Sequence, residues 1–206
     1  MAVSRFCLLL ALVSVAHGAV AGEALLPAAA DTAKGYVYIA RHGEKSVWYG
    51  CLNATGEARA AALPSIFDGQ ARANGATLYK PKALFAYYYD DGQDCERCIA
   101  TLQPMAKDLG LSIQHTPSSS STTEGVRLAA ASITKALASD PVVLVAWNHH
   151  HIAALAEQLG VSAASIPTWD GSDFDSVFQL IFEGSTLVSF SVTSEGFDPA
   201  TTSPSR

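Results

Sequence analysis

Residues Tyr36 to Lys45, YVYIARHGEK, constrain the fold of this chain more than any other stretch. Tyr36 to Ala40 is an unbroken run of aromatic, β-branched and small apolar residues, the composition of a strand buried on both faces. The run stops at Arg41, His42 and Gly43, with Glu44 and Lys45 behind them. A guanidinium and an imidazole at the tip of a buried strand stand where open α/β sheets bind ligands, beyond the carboxyl ends of their strands. Gly43 is expected to let the backbone turn sharply there and approach a ligand closely.

The later sequence supplies the partners that such a strand requires. Asn53 or Thr55 can cap a helix with Ala62, Leu63, Ile66 and Phe67 on its apolar side. KALFAYYY, from Lys82, reads as a second strand, followed by the turn-rich DDGQD. CERCIATLQPMAKDLG reads as a helix that Pro104 should kink or open with a tight first turn. LSIQHT is a short third strand, and Val126, Ala130, Ile133 and Leu137 recur at helical spacing. VVLVAWN is the most hydrophobic run outside the N-terminus, hence a central strand, and HIAALAEQLG after it is a helix burying Ile152, Leu155 and Leu159. Residues 172–182 and 185–193 read as a hairpin around Glu183-Gly184, with Val188, Phe190 and Val192 inward and Ser189 and Ser191 wet. Strands alternating with helices, closed by a hairpin, imply a three-layer α/β/α sandwich with a mainly parallel central sheet.

Composition bounds the compartment and the partners. The opening MAVSRFCLLLALVSVAHGAVAG has one cation, a short apolar run and small residues with an A-x-A site at Ala19 to Ala21. It reads as a signal peptide over residues 1–21, too short for a membrane span. Residues 22–206 are then a single secreted domain, with a flexible tail from about residue 195. Removal of Arg5 takes the formal charge from −6 to −7, which argues against nucleic acid or an anionic membrane as partner. No obligate protein partner is evident. Cys7 leaves with the leader, so Cys51, Cys95 and Cys98 remain, which predicts one disulfide and one free thiol or an intermolecular bond. CERC lacks the second pair that a zinc site needs. Asn53-Ala54-Thr55 is an N-glycosylation sequon, at a residue also wanted as a helix cap.

Three strand ends carry candidate site residues: Arg41 and His42 at the first, Arg97 on the helix after the second, and His149 after VVLVAWN. A right-handed crossover fold brings such ends to one edge of the sheet. Arginines and imidazoles gathered there suit a phosphate group, whose oxygens need several donors at once. This set resembles the histidine phosphatase superfamily, the phosphoglycerate mutase and acid phosphatase clan, defined by Arg-His-Gly. Leu52, Asn53, Gly56 and Glu57-Ala58-Arg59-Ala60 resemble its next segment, Arg97-x-x-x-Thr101 its later helix, and WNHHHI the WEH segment of small secreted members. The resemblance spans roughly residues 35–195 and implies a phosphoglycerate mutase-like fold. It also implies a phosphatase that hydrolyses small phosphomonoesters through a phosphohistidine on His42. Arg41 and Arg97 would clamp the phosphate, His149 would cover a third oxygen, and no cofactor or metal would be needed.

Departures from the family pattern leave the general acid open. Lys45 stands where the acid phosphatases have a further arginine, as a weaker phosphate contact. His150 takes the place of their leaving-group Asp and Asn148 that of the Glu in WEH. His150 is the first candidate acid, with Glu44 and Glu124 behind it. A second reading is a catalytically impaired family member that binds phosphate or another anion. The run His149-His150-His151 also invites a metal; in an extended segment neighbouring side chains diverge, so all three do not easily bind one ion, although two of them with an outside carboxylate could. Asp170, Asp173 and Asp175 lack calcium-loop spacing and read as a solvated loop.

Overall fold

The computed structural model describes residues 34–46, 50–72, 75–89, 95–115 and 120–200. They belong to one compact unit, residues 32–206. The leader, the aromatic loop around Trp48 and the end of the tail lie outside the described residues.

The elements follow one another as β1 Lys34–Arg41, α1 Ala54–Ile66, β2 Ala83–Ala86, α2 Arg97–Leu109 and β3 Ile113–Gln114. Then come α3 Thr123–Leu137, β4 Val142–Trp147, α4 His149–Gln158, β5 Ser176–Glu183 and β6 Thr186–Ser194, with a short 3-10 turn at Ala163–Ser165. One sheet runs β3-β2-β4-β1-β5-β6. The pairs β1·β4, β2·β4 and β2·β3 are parallel, while β5 and β6 run antiparallel at one side. Connections from β1 to β2 and from β2 to β3 move one way across the sheet, and β3 to β4 moves back. Right-handed crossovers therefore put α1 and α2 on one face and α3 on the other. The packing agrees, with α1 against α2 and α3 against α4. This is the three-layer sandwich expected.

The VVLVAWN run is central, as its composition required. β4 lies between β2 and β1, and Val143 to Trp147 are all buried. Each such aliphatic side chain removed from water contributes about 1.5–3 kcal/mol. Around them pack Tyr38, Phe67, Leu84, Leu102 and Phe178. Asn53 caps α1, its side-chain oxygen accepting from the Gly56 N–H at 3.0 Å. Pro104 lies inside α2 rather than in its first turn, and the helix continues through it to Leu109.

Three expectations are corrected. Val188 and Val192 are 49% and 45% exposed, and of the alternating residues only Phe190 meets the core, edge-on to Phe178. β6 is the sheet's edge strand, so that face is incompletely covered. The tail does not fray at residue 195: Glu195 is buried and bonded to Arg59, and the Phe197 N–H donates to Asp175. Finally, the histidine run is not extended. It forms the first turn of α4, with the Asn148 side chain as N-cap.

Candidate active site

Side chains alternate along β1, and this alternation separates the two residues at its tip. Tyr38 points to the α1 face, where its ring meets Phe67. Arg41, three positions on, points to the opposite face, where α4 begins. One of its terminal nitrogens donates to the carbonyls of Gly171 and Asp173 at 2.7 and 2.9 Å. Its guanidinium lies 3.7 Å over the Phe174 ring. Arg41 is 3% exposed and its Nε has no partner. Burial lowers its proton affinity, against the opposing pull of Asp173 and Glu44.

His42 leaves the strand with its N–H on the Trp147 carbonyl, at 3.2 Å. Its Nδ1 lies 2.8 Å from the Gly43 carbonyl. A carbonyl only accepts, so Nδ1 carries the proton and Nε2 keeps its lone pair. That nitrogen accepts from Nε of Arg97 at 3.2 Å. Burial, chiefly, and then the charges of Arg97, Arg41 and His149 push the imidazole down to about 3, outweighing the Gly43 bond. His42 is therefore a neutral base with a fixed tautomer, the form a nitrogen nucleophile requires.

The glycine behind it serves packing rather than turning. Gly43 does not adopt a positive φ. A Cβ there would stand 2.9 Å from the Gly56 carbonyl oxygen, and one on Gly56 would stand 2.2 Å from that of Glu44. The pair lets the strand tip lie directly on the start of α1. Gly43 also donates its N–H to the Thr101 hydroxyl at 2.9 Å, and that hydroxyl donates to the Arg97 carbonyl at 2.7 Å. Thr101 thus ties the histidine loop to the turn of α2 that carries the second arginine.

Arg97 opens α2 and is 6% exposed, its guanidinium 4.4 Å over the Tyr89 ring. Two residues before it, Cys95 is joined to Cys51, so the disulfide stitches the β1–α1 loop to the root of Arg97. Cys98 is buried and stands outside the disulfide, 3.4 Å from the Tyr89 hydroxyl.

At about 100° of rotation per residue, the three histidines on the first turn of α4 go three ways. His149 turns to the site, its Nε2 within 4.0 Å of where a Cβ on Gly171 would stand. Its Nδ1 is buried without a hydrogen-bond partner. Burial first, then Arg41, His150 and Arg97, push it down to about 4, so it reaches the site neutral rather than cationic. His150 is exposed, its ring 3.9 Å from that of His149. His151 folds back to stack on Tyr87. Among the described residues no group of three His, Cys, Asp or Glu side chains is placed to hold a metal ion.

Two of the acid candidates are engaged elsewhere. Glu44 meets Arg59 through both oxygens, at 2.8 and 3.0 Å. Burial works to raise its carboxyl, but the Arg59 contacts hold it below the usual range. It is a poor proton donor at neutral pH. Glu124 is an exposed residue at the start of α3 and pairs with Arg127 one turn on. Lys45 is exposed, with its backbone bridged to Leu52. Arg41, His42, Arg97 and His149 come together, with His150 at their rim.

No family model matches the sequence, and no curated protein is detectably similar to it. Solved structures do match in shape. A mycobacterial glucosyl-3-phosphoglycerate phosphatase superposes with a TM-score of 0.52 at 16% identity, covering 79% of this chain and 98% of that one. The chain has the phosphoglycerate mutase-like fold of the histidine phosphatases. A phosphoserine phosphatase of Entamoeba histolytica, solved with 3-phosphoglyceric acid, gives 0.50 at 12% identity over 78% and 98% of the two chains. In this chain β1 and β4 end side by side, so the tip of β1 and the start of α4 meet at one sheet edge, where Arg41, His42 and His149 lie.

Proposed function

We propose that this chain is a secreted phosphomonoesterase that passes the phosphoryl group through His42. The observation that carries the reading is the Nε2 lone pair of a neutral, buried His42, held by an Arg97 N–H between two buried guanidinium groups. The substrate phosphate enters by displacing the Arg97–His42 hydrogen bond. Arg97 and Arg41 then donate to its oxygens, with the neutral His149 giving one further N–H. Nε2 attacks phosphorus, the P–N bond forms as the ester P–O bond breaks, and the leaving oxygen takes a proton. Nδ1 keeps its proton on the Gly43 carbonyl, which stabilises the positive charge that develops on the ring. Water then attacks the phosphohistidine, the P–N bond breaks, and inorganic phosphate leaves with His42 again neutral.

His150 is the proton donor in this scheme, because it alone of the three candidates lies at the rim beside His149. The signal-like composition of residues 1–21 supports action outside the cell. Both parallels above bear names of phosphatases, which supports the reaction class.

The test is to quench the protein with radiolabelled phosphate ester and look for an acid-labile, base-stable phosphoenzyme. The wild type should carry label, and His42→Ala should carry none and lose hydrolysis by more than about 10³-fold. Turnover of aryl esters, which need little help from an acid, should persist well below pH 6, because His42 stays neutral down to about pH 3. An unlabelled wild type that still hydrolyses ester would overturn the covalent route. Aryl turnover with no alkyl turnover would identify the impaired alternative.

A further inference from the structure

A cleft of about 450 Å³ opens beside the anion site, between α4 and the segment that leads from the 3-10 turn towards β5. His149, His150 and Gly171 line it, and Gly171 is also a carbonyl that holds Arg41. The cleft is therefore continuous with the place proposed for the phosphate. It runs along α4 past Ala153 to Glu157. Positions 150, 153 and 157 share one face of the helix, and the seven residue steps from 150 to 157 span about 10 Å. That length suits the alcohol half of an ester, ring included.

The opposite wall includes Ile166, Pro167 and Trp169. Trp169 is fixed in place: its indole N–H donates to the Asp173 carbonyl at 3.0 Å, and its ring packs 5.0 Å from Phe178. A rigid indole against proline and isoleucine gives an apolar wall whose ordering is already complete before a ligand arrives. Among the described residues no Lys or Arg lines the cleft, whereas Glu157 does. A carboxylate or second phosphate on the alcohol would meet this carboxylate and no cation. An apolar ring would displace water from the indole wall.

We propose that this cleft is the leaving-group subsite, and that it selects phosphate monoesters of apolar, ring-bearing alcohols over those of acidic alcohols. The inference rests on the phosphomonoesterase reading, and the experiment separates the two. 2-Phenylethyl phosphate, methyl phosphate and O-phosphoserine are all alkyl esters, so the comparison does not depend on an aryl leaving group. In the full protein, kcat/KM should be about tenfold or more higher for the phenylethyl than for the methyl ester, and lowest for phosphoserine. Ala153→Phe, an exposed position that fills the cleft, should bring the phenylethyl-to-methyl ratio close to one. Glu157→Lys should raise phosphoserine relative to the other two. Calorimetry with 2-phenylethylphosphonate and methylphosphonate, which cannot turn over, reads the same preference as affinity. An affinity gap that Ala153→Phe removes, in a protein that hydrolyses no ester, keeps the subsite and overturns the phosphatase reading. Equal kcat/KM for the three esters, or a ratio that Ala153→Phe does not move, overturns the subsite and leaves the phosphatase reading intact.

Discussion

Arg41 and Arg59 are both buried guanidinium groups, and their surroundings differ in one decisive respect. Arg41 rests on two backbone carbonyls and an aromatic face, none of which carries a formal charge. Arg59, on α1, is held by Glu44 and Glu195, with Asp175 at 3.5 Å. Neutral acceptors fix the orientation of Arg41 and leave its positive charge for an incoming anion. Arg59 is instead engaged by acidic side chains, Glu44 through both oxygens, so its charge is already spent inside the fold. The same residue type is thus a ligand site in one place and a structural tie in the other, and the partners decide which.

The largest effect expected from this contrast is on stability. Arg59→Met leaves the Glu44 carboxylate without its counter-charge and the buried Glu195 without its hydrogen-bond donor, and should destabilise the fold by about 3–5 kcal/mol. Denaturant unfolding would measure it, while the activity of the protein that remains folded should fall far less. A loss confined to activity would break the comparison. Next is Arg41→Lys, which keeps a charge but gives up the planar fork that reaches two oxygens. Its kcat/KM should drop by about 10²–10³-fold with a smaller change in unfolding free energy. Unaltered kinetics would show that the carbonyl-held guanidinium is not a phosphate ligand.

The smallest and sharpest concerns pH. Glu195 is 1% exposed, one of its oxygens has no partner, and it shares Arg59 with two other carboxylates. Burial pushes it up to about 8, more than the Arg59 contact pulls it down. A carboxyl raised in the folded state binds its proton more tightly there. Its stabilising contribution is full at low pH and is lost as pH climbs from its unfolded value to about 8. His42 and His149, pushed down to about 3 and about 4, act in the opposite sense, losing stability as pH falls below about 6.5. The difference between wild type and Glu195→Gln cancels the histidines. Melting curves from pH 5 to 8 should show the variant gaining on the wild type as pH rises. A constant difference would mean that Glu195 is an ordinary ionised partner of Arg59.

What the sequence made legible follows from which signals lie in side chains close together in the chain. The buried run before Arg41, the apolar stretch before Trp147 and the arginine at the helix start all announce themselves locally. The partners of Arg41 do not, because two are backbone carbonyls some 130 residues away and carry no residue signature. Arg59 reads as a surface residue of an alanine-rich helix; only the folded chain, which brings Glu44 and Glu195 to it, reveals otherwise. The histidine triple was misplaced for a different reason. The hydrophobic run of β4 ends at Trp147, and Asn148 is a good N-cap, so the helix start was visible in the residue types. Reading the triple as extended hid the divergence of His149, His150 and His151. Gly43 was read for its conformational freedom, whereas its lack of a side chain is what Gly56 requires.

The tie between Arg59 and Glu195 spans 136 positions of sequence. During synthesis α1 emerges early, and its guanidinium has no full complement of acids until the last strand has been made and docked. Contacts of such separation form late in folding. A chain that stops before residue 195 therefore lacks one acceptor for the buried Arg59, which then rests on Glu44 and Asp175 alone. The residues that follow β6 thus close a site opened by the first helix, and α1 is fully tied down only once they have docked.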